Sequence, residues 1–169
     1  MSKTKIHQDY FKSIVFGAED ALVSTTGLVV GVSVAIVDKQ IILLTGLVAL
    51  AVEAVSMAAG QFLSEKAVHQ LKKGTRSQHR DNLLLGAFLM FLAYFLGGLV
   101  PIIPIFLVSA KNVMFFSSAA GLLGLFLLGW AKGLVTGAAK IKSALEIMVI
   151  GGIATALGIA IGLIFRTDL

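Results

Sequence analysis

The chain has no cysteine, two prolines and few charges. Lack of cysteine across all 169 residues excludes disulfides, thiolate zinc sites and cysteine nucleophiles together, and leaves the compartment open. Soluble chains carry about 25% charged residues. Here 14 basic and 9 acidic side chains make up only 14%, too few to coat a water-facing surface. In their place 57% of the residues are hydrophobic and the mean hydropathy is +0.95. A soluble globular domain is excluded, and the lipid bilayer is the expected partner. Eighteen glycines with so few prolines suit membrane helices whose backbones approach closely. The net charge of +5 could suit nucleic acid, but the distribution of the basic residues argues against that partner.

A helix needs roughly 20 apolar residues to cross the hydrocarbon core. Five segments qualify, at about 14–37, 41–64, 82–100, 112–138 and 145–165. The expected fold class is all-α, a single polytopic membrane domain of five transmembrane helices. Gly97, Gly98, Pro101 and Pro104 predict that the third helix ends near Val100 and gives way to an apolar loop. Lys3, Lys5 and Lys12 precede the first span. Lys66, Lys72, Lys73, Arg76 and Arg80 fill a short basic loop at 66–80, and Lys140 with Lys142 separate the last two spans. The alternate connections hold only Asp38 with Lys39, Lys111, and Arg166 with Asp168. This alternation predicts the N-terminus and the 66–80 loop inside and the C-terminus outside. Lipid-headgroup contact by that loop is the less simple reading of its charge. Met1–Lys12 is polar and the first apolar stretch contains acids, so no cleavable signal is expected.

Acids inside spans need a reason, because each costs about 2.5 to 3.5 kcal/mol on insertion scales. Asp20 lies some six residues into the first span, with Glu19 beside it, and Glu53 lies near the middle of the second. Asp20, Ser24, Gly27 and Gly31 form one helical stripe, and Glu53, Met57, Gly60 and Ser64 repeat its spacing. Each stripe joins an acid to small residues that permit close helix contact. With antiparallel spans, Asp20 and Met57 share a depth of roughly 10 Å below the inner boundary. A carboxylate and a thioether at one level favour a transition-metal ion over Mg²⁺ or Ca²⁺. A symmetric dimer, its first spans meeting along the glycines, would double the ligands. Packing remains the alternative for Met57, and a reach back to the interface for Glu19. Ser143 with Glu146 reads as a capping box opening the last helix. His7, His69 and His79 are too scattered for a metal motif, and Tyr10, Tyr94 and Trp130 read as interfacial or packing aromatics.

The run Gly17-Ala18-Glu19-Asp20-Ala21-Leu22-Val23-Ser24-Thr25-Thr26 with Gly31, and the run Glu53-Ala54-Val55-Ser56-Met57-Ala58-Ala59-Gly60-Gln61-Phe62-Leu63-Ser64, resemble the first two helices of the vacuolar iron transporter family. Weaker similarity continues through Ser143–Glu146 and Gly151-Gly152. The resemblance implies a homodimer of five-helix chains that moves Fe²⁺ or Mn²⁺ out of the cytosol in exchange for protons. It implies that Asp20 and Met57 lie in the ion path, with Glu53 at a position often acidic; Ala49 stands where some members carry a further glutamate. Long members insert a glutamate-rich metal-binding domain between the second and third spans. Here the basic 66–80 loop stands in its place, so the chain resembles the short members. Iron or manganese is then cargo, and no cofactor is expected. No His-rich, Ser/Lys or aspartate-dyad constellation suggests an enzyme. The alternative function is a non-transporting assembly subunit whose buried acids serve helix association. Short loops suggest a prokaryotic plasma membrane, or an organelle membrane in a eukaryote.

Overall fold

The computed structural model describes residues 3–71 and 83–166. They form α1 (Lys3–Ala35), α2 (Lys39–Leu71), α3 (Leu83–Leu107), α4 (Val113–Thr136) and α5 (Lys140–Ile164), with a 3-10 turn at Ala110–Asn112. All five helices are long and apolar enough to cross a membrane. The chain is therefore all-α and polytopic, as its apolar runs predict.

α1 is the central helix. It packs against α3, α4 and α5, and more lightly against α2. Its buried pairs Ala21-Leu22, Thr25-Thr26 and Val29-Val30 recur every four residues, so one broad face is covered along its length. The main core joins Ala21 and Val29 of α1 to Ile42, Leu50 and Ala54 of α2, and to Tyr94, Ile102 and Ile105 of α3. A second cluster joins Leu22, Leu125 and Ile147 across α1, α4 and α5. Leu44, Val52, Phe88, Phe106 and Leu157 point outward, and that apolar exterior is what a bilayer solvates.

Several helix limits differ from the sequence expectation. α3 does not end near Val100 but runs to Leu107, with Pro101 and Pro104 inside it. In hydrocarbon a broken helix would strand backbone groups without water, so proline is carried within the helix. Pro101, Ile102 and Ile105 are themselves buried, which rewards continuing it. Lys39 Nζ donates to the carbonyls of Phe106 and Val108 at 3.3 and 3.1 Å, satisfying the free end of α3. α2 extends through Leu71, so residues 66–71 of the expected loop are helical. Lys72, Lys73, Arg76, His79 and Arg80 lie outside the described residues.

α1 stops at Ala35, short of 37, because Asp38 opens α2 instead: its Oδ1 accepts from the N–H groups of Gln40 and Ile41 at 2.7 and 3.2 Å. α4 stops at Thr136, where Gly137 takes a left-handed conformation at φ 73°. The capping box at Ser143 is absent. α5 begins at Lys140 after Ala139 without a side-chain cap, and Ser143 is already buried in its first turn. Gly129 of α4 explains this, since a Cβ there would lie 2.6 Å from Ala144 Cα. Close backbone packing, not a cap, sets this helix start.

Candidate functional site

The two acid-bearing stripes meet where α1, α2 and α3 converge. Ser24 of α1, Glu53 of α2 and Tyr94 of α3 form one hydrogen-bonded group. Tyr94 OH donates to Glu53 Oε2 at 2.6 Å. Ser24 Oγ lies 2.8 Å from the phenol oxygen and 3.4 Å from the same Glu53 oxygen. A phenol has a single proton, and it goes to Glu53, so Ser24 donates to Tyr94. The order is Ser24 to Tyr94 to Glu53. Tyr94 is only 1% exposed, and its polar tip needs such a partner when buried.

The Ser24–Glu53 contact fixes the register of two antiparallel helices. Four residues toward the start of α1 is Asp20, and four toward the end of α2 is Met57. Each is about 6 Å along its axis, so they share a level one turn away. Asp20 lies within electrostatic reach of both Glu53 and Tyr94. Met57 is half-buried and packs on the core cluster that contains Ala21 and Tyr94. Glu19 is half-exposed, with no hydrogen bond among the described residues. Two turns farther along α2, Gln61 Nε2 donates to Ser13 Oγ at 3.1 Å and to Glu65 Oε1, tying α2 to α1.

Gly27 and Gly31 leave this cluster and face α5. A Cβ on Gly31 would lie 2.7 Å from the carbonyl oxygen of Gly158, and Gly162 meets Gly31 in turn. The Gly-x-x-x-Gly of α1 therefore pairs with Gly158 and Gly162 within the same chain. Within the single chain, then, this stripe meets α5. Beside the crossing runs an almost wholly apolar groove of about 540 Å³, lined by Ser24, Gly27, Gly31, Ala154, Gly158 and Gly162 among others. On α2, by contrast, Gly60 has nothing within 4 Å of the place a Cβ would take.

The structure thus brings Ser24, Glu53, Asp20 and Met57 to one region and sends Gly27 and Gly31 to another. Sequence reasoning missed Tyr94. The available signal was a single hydroxyl inside the otherwise apolar run of α3. Among the described residues no group of three or more His, Cys, Asp or Glu gathers. Two carboxylates and a thioether can contact a cation but do not enclose one.

Five long apolar helices, two of them carrying half-buried carboxylates at Asp20 and Glu53, define a multi-pass integral membrane protein. The model of the VIT family matches residues 11–85 and 75–163, two pieces that meet near the α2–α3 connection. The chain belongs to that family. It is 31% identical over 158 residues to "Vacuolar iron transporter homolog 4" of Arabidopsis thaliana, covering 88% of this chain and 80% of the relative. It is 32% identical over 158 residues to "Vacuolar iron transporter homolog 3" of the same plant, covering 88% and 79%. "Vacuolar iron transporter 1" of Tulipa gesneriana is 26% identical over 207 residues, covering 88% of this chain and 84% of that one. That aligned length exceeds the 169 residues here, so the tulip protein carries residues this chain lacks.

Proposed function

We propose that the protein is a transporter, not an enzyme, which exports Fe²⁺ or Mn²⁺ from the cytosol as a homodimer in exchange for protons. The observation that carries this reading is the convergence of Glu53, Ser24 and Tyr94 with Asp20 and Met57 one turn away. Acids at bilayer depth are costly without a use, and a mixed oxygen and sulfur set suits a borderline ion such as Fe²⁺ better than Mg²⁺ or Ca²⁺. Asp20 attracts the ion, Met57 favours a transition metal, and Glu53 is the next station and carries the returning proton. Glu19 lies at the approach and Ser24 beside Glu53 in the path, whereas Gly27 and Gly31 border it only through the apolar groove between α1 and α5 and offer the ion no donor.

The homodimer is supported by the incomplete ligand set of one chain and by the open face of α2 at Gly60. The N-terminus is inside and the C-terminus outside, as the basic residues indicate. Without the residues that lengthen the tulip relative, Asp20 receives the ion directly. The relatives named for the vacuole support an organelle membrane; the prokaryotic plasma membrane gains no support from them. The alternative is a non-transporting assembly subunit whose acids serve helix association.

Proteoliposome flux of Mn²⁺ or Fe²⁺ under a pH gradient tests the proposal. Flux is expected in pure protein and is expected to collapse in Asp20→Ala and Met57→Ala. Unchanged flux in both variants rules out this ion path, and absence of flux with loss of oligomers in Glu53→Gln favours the assembly role.

A further inference from the structure

We propose that Tyr94 is a positioning residue that makes the Glu53 site select small transition-metal ions over Ca²⁺. The inference rests on the reading of Glu53 as an ion ligand. Tyr94 is the one hydroxyl-bearing side chain of α3, and it sits in the core at 1% exposure. Nothing about lipid contact requires a phenol there. Its hydroxyl is consumed by the α1–α2 pair: it accepts from Ser24 and donates to Glu53.

The decisive detail is which oxygen receives these contacts. Tyr94 at 2.6 Å and Ser24 at 3.4 Å both approach Glu53 Oε2. No hydrogen bond among the described residues falls on Oε1. The terminal torsion of a glutamate is soft and nearly two-fold, so an untethered carboxylate turns freely to present one oxygen or both. A short hydrogen bond to the charged group holds that torsion and engages one lone pair of Oε2, while Oε1 keeps both of its own. Glu53 is then biased toward ligating through Oε1 alone. Ca²⁺ gathers six to eight oxygens at 2.3–2.6 Å and uses carboxylates in the two-oxygen mode to reach that number. Fe²⁺ and Mn²⁺ manage with six or fewer donors, and Fe²⁺ also accepts nitrogen or sulfur among them. Tethering Oε2 therefore weakens a donor that Ca²⁺ needs and costs a transition metal less. Met57 acts in the same direction by supplying sulfur, and Tyr94 acts without touching the ion.

The test is Tyr94→Phe in the full chain, reconstituted in liposomes. Mn²⁺ transport persists at a reduced rate, while the ratio of Ca²⁺ to Mn²⁺ inhibition constants shifts toward Ca²⁺ by about tenfold, the scale of one hydrogen bond to a charged group. Infrared difference spectra on adding Mn²⁺ or Ca²⁺, with Glu53→Gln marking the Glu53 bands, read the coordination mode directly. One-oxygen coordination is expected in the parent protein, and two-oxygen coordination of Ca²⁺ in Tyr94→Phe. Should Tyr94→Phe not fold, Ser24→Ala removes the donor behind the phenol, and a smaller shift in the same direction is expected. A parallel loss of Mn²⁺ and Ca²⁺ response, or carboxylate bands identical in parent and variant, overturns the proposal. If Glu53→Gln abolishes Mn²⁺ binding while Tyr94→Phe leaves the selectivity unmoved, only the role of Tyr94 fails. If Glu53→Gln leaves Mn²⁺ and Ca²⁺ affinities at parent values, the reading of Glu53 as a ligand fails with it.

Discussion

The stripe Asp20, Ser24, Gly27, Gly31 on α1 and the stripe Glu53, Met57, Gly60, Ser64 on α2 share one spacing and one kind of composition, yet they lie in opposite surroundings. On α1 the glycines are spent inside the chain, against Gly158 and Gly162 of α5. On α2, Gly60 faces open space and Ser64 is exposed. Only their polar ends meet, through Ser24 and Glu53. Spacing tells which residues share a face; it does not tell what that face will touch. A glycine stripe satisfied within the fold is structural, and one left open is available to a second copy.

Perturbing the polar meeting point gives the largest expected effects. On the proposed ion path, Glu53→Gln and Asp20→Ala are each expected to lower Mn²⁺ flux at least about a hundredfold, because each removes a charge proposed to contact the cation; initial rates in liposomes measure this. Next comes the closed stripe. Gly31→Ala forces a Cβ against the Gly158 carbonyl, where backbone cannot give way, and costs about 2 kcal/mol of overpacking, read as a lowered unfolding temperature in detergent. Lys39→Met removes two hydrogen bonds at the end of α3 and costs about 1 kcal/mol in the same assay. The smallest effect falls on the open stripe. Gly60→Ala shifts the stability of the single chain by under about 1 kcal/mol, with helix propensity favouring the alanine. A fall in dimer content in Gly60→Leu, at unchanged unfolding temperature, sharpens the contrast. Equal destabilisation by Gly31→Ala and Gly60→Ala breaks it.

The five helices were legible because apolar length is a direct demand of the bilayer and survives any detail of packing. Pro101 and Pro104 were misread because the rule that proline ends a helix presumes water to take up the freed carbonyls. Within hydrocarbon the cheaper course is to continue, and α3 does. At Ser143 a local capping signal lost to the close approach of Gly129. The candidate site was half legible. Asp20 and Glu53 stand out because charge at that depth is costly, and their pairing in register follows from antiparallel helices. Tyr94 was hidden because its significance depends on α3 packing at that point of α1 and α2, which no periodicity within α3 encodes. The partner of the α1 glycines was hidden for a related reason: Gly158-x-x-x-Gly162 is visible in the sequence, but contacts within and between chains have the same pattern.

The most direct measurement of the central claim is anomalous scattering from crystals soaked in Mn²⁺. The account predicts a peak within ligand distance of Asp20, Glu53 and Met57, at the level where α1 and α2 cross. Peaks confined to surface histidines such as His69, with none in the helix bundle, would contradict it.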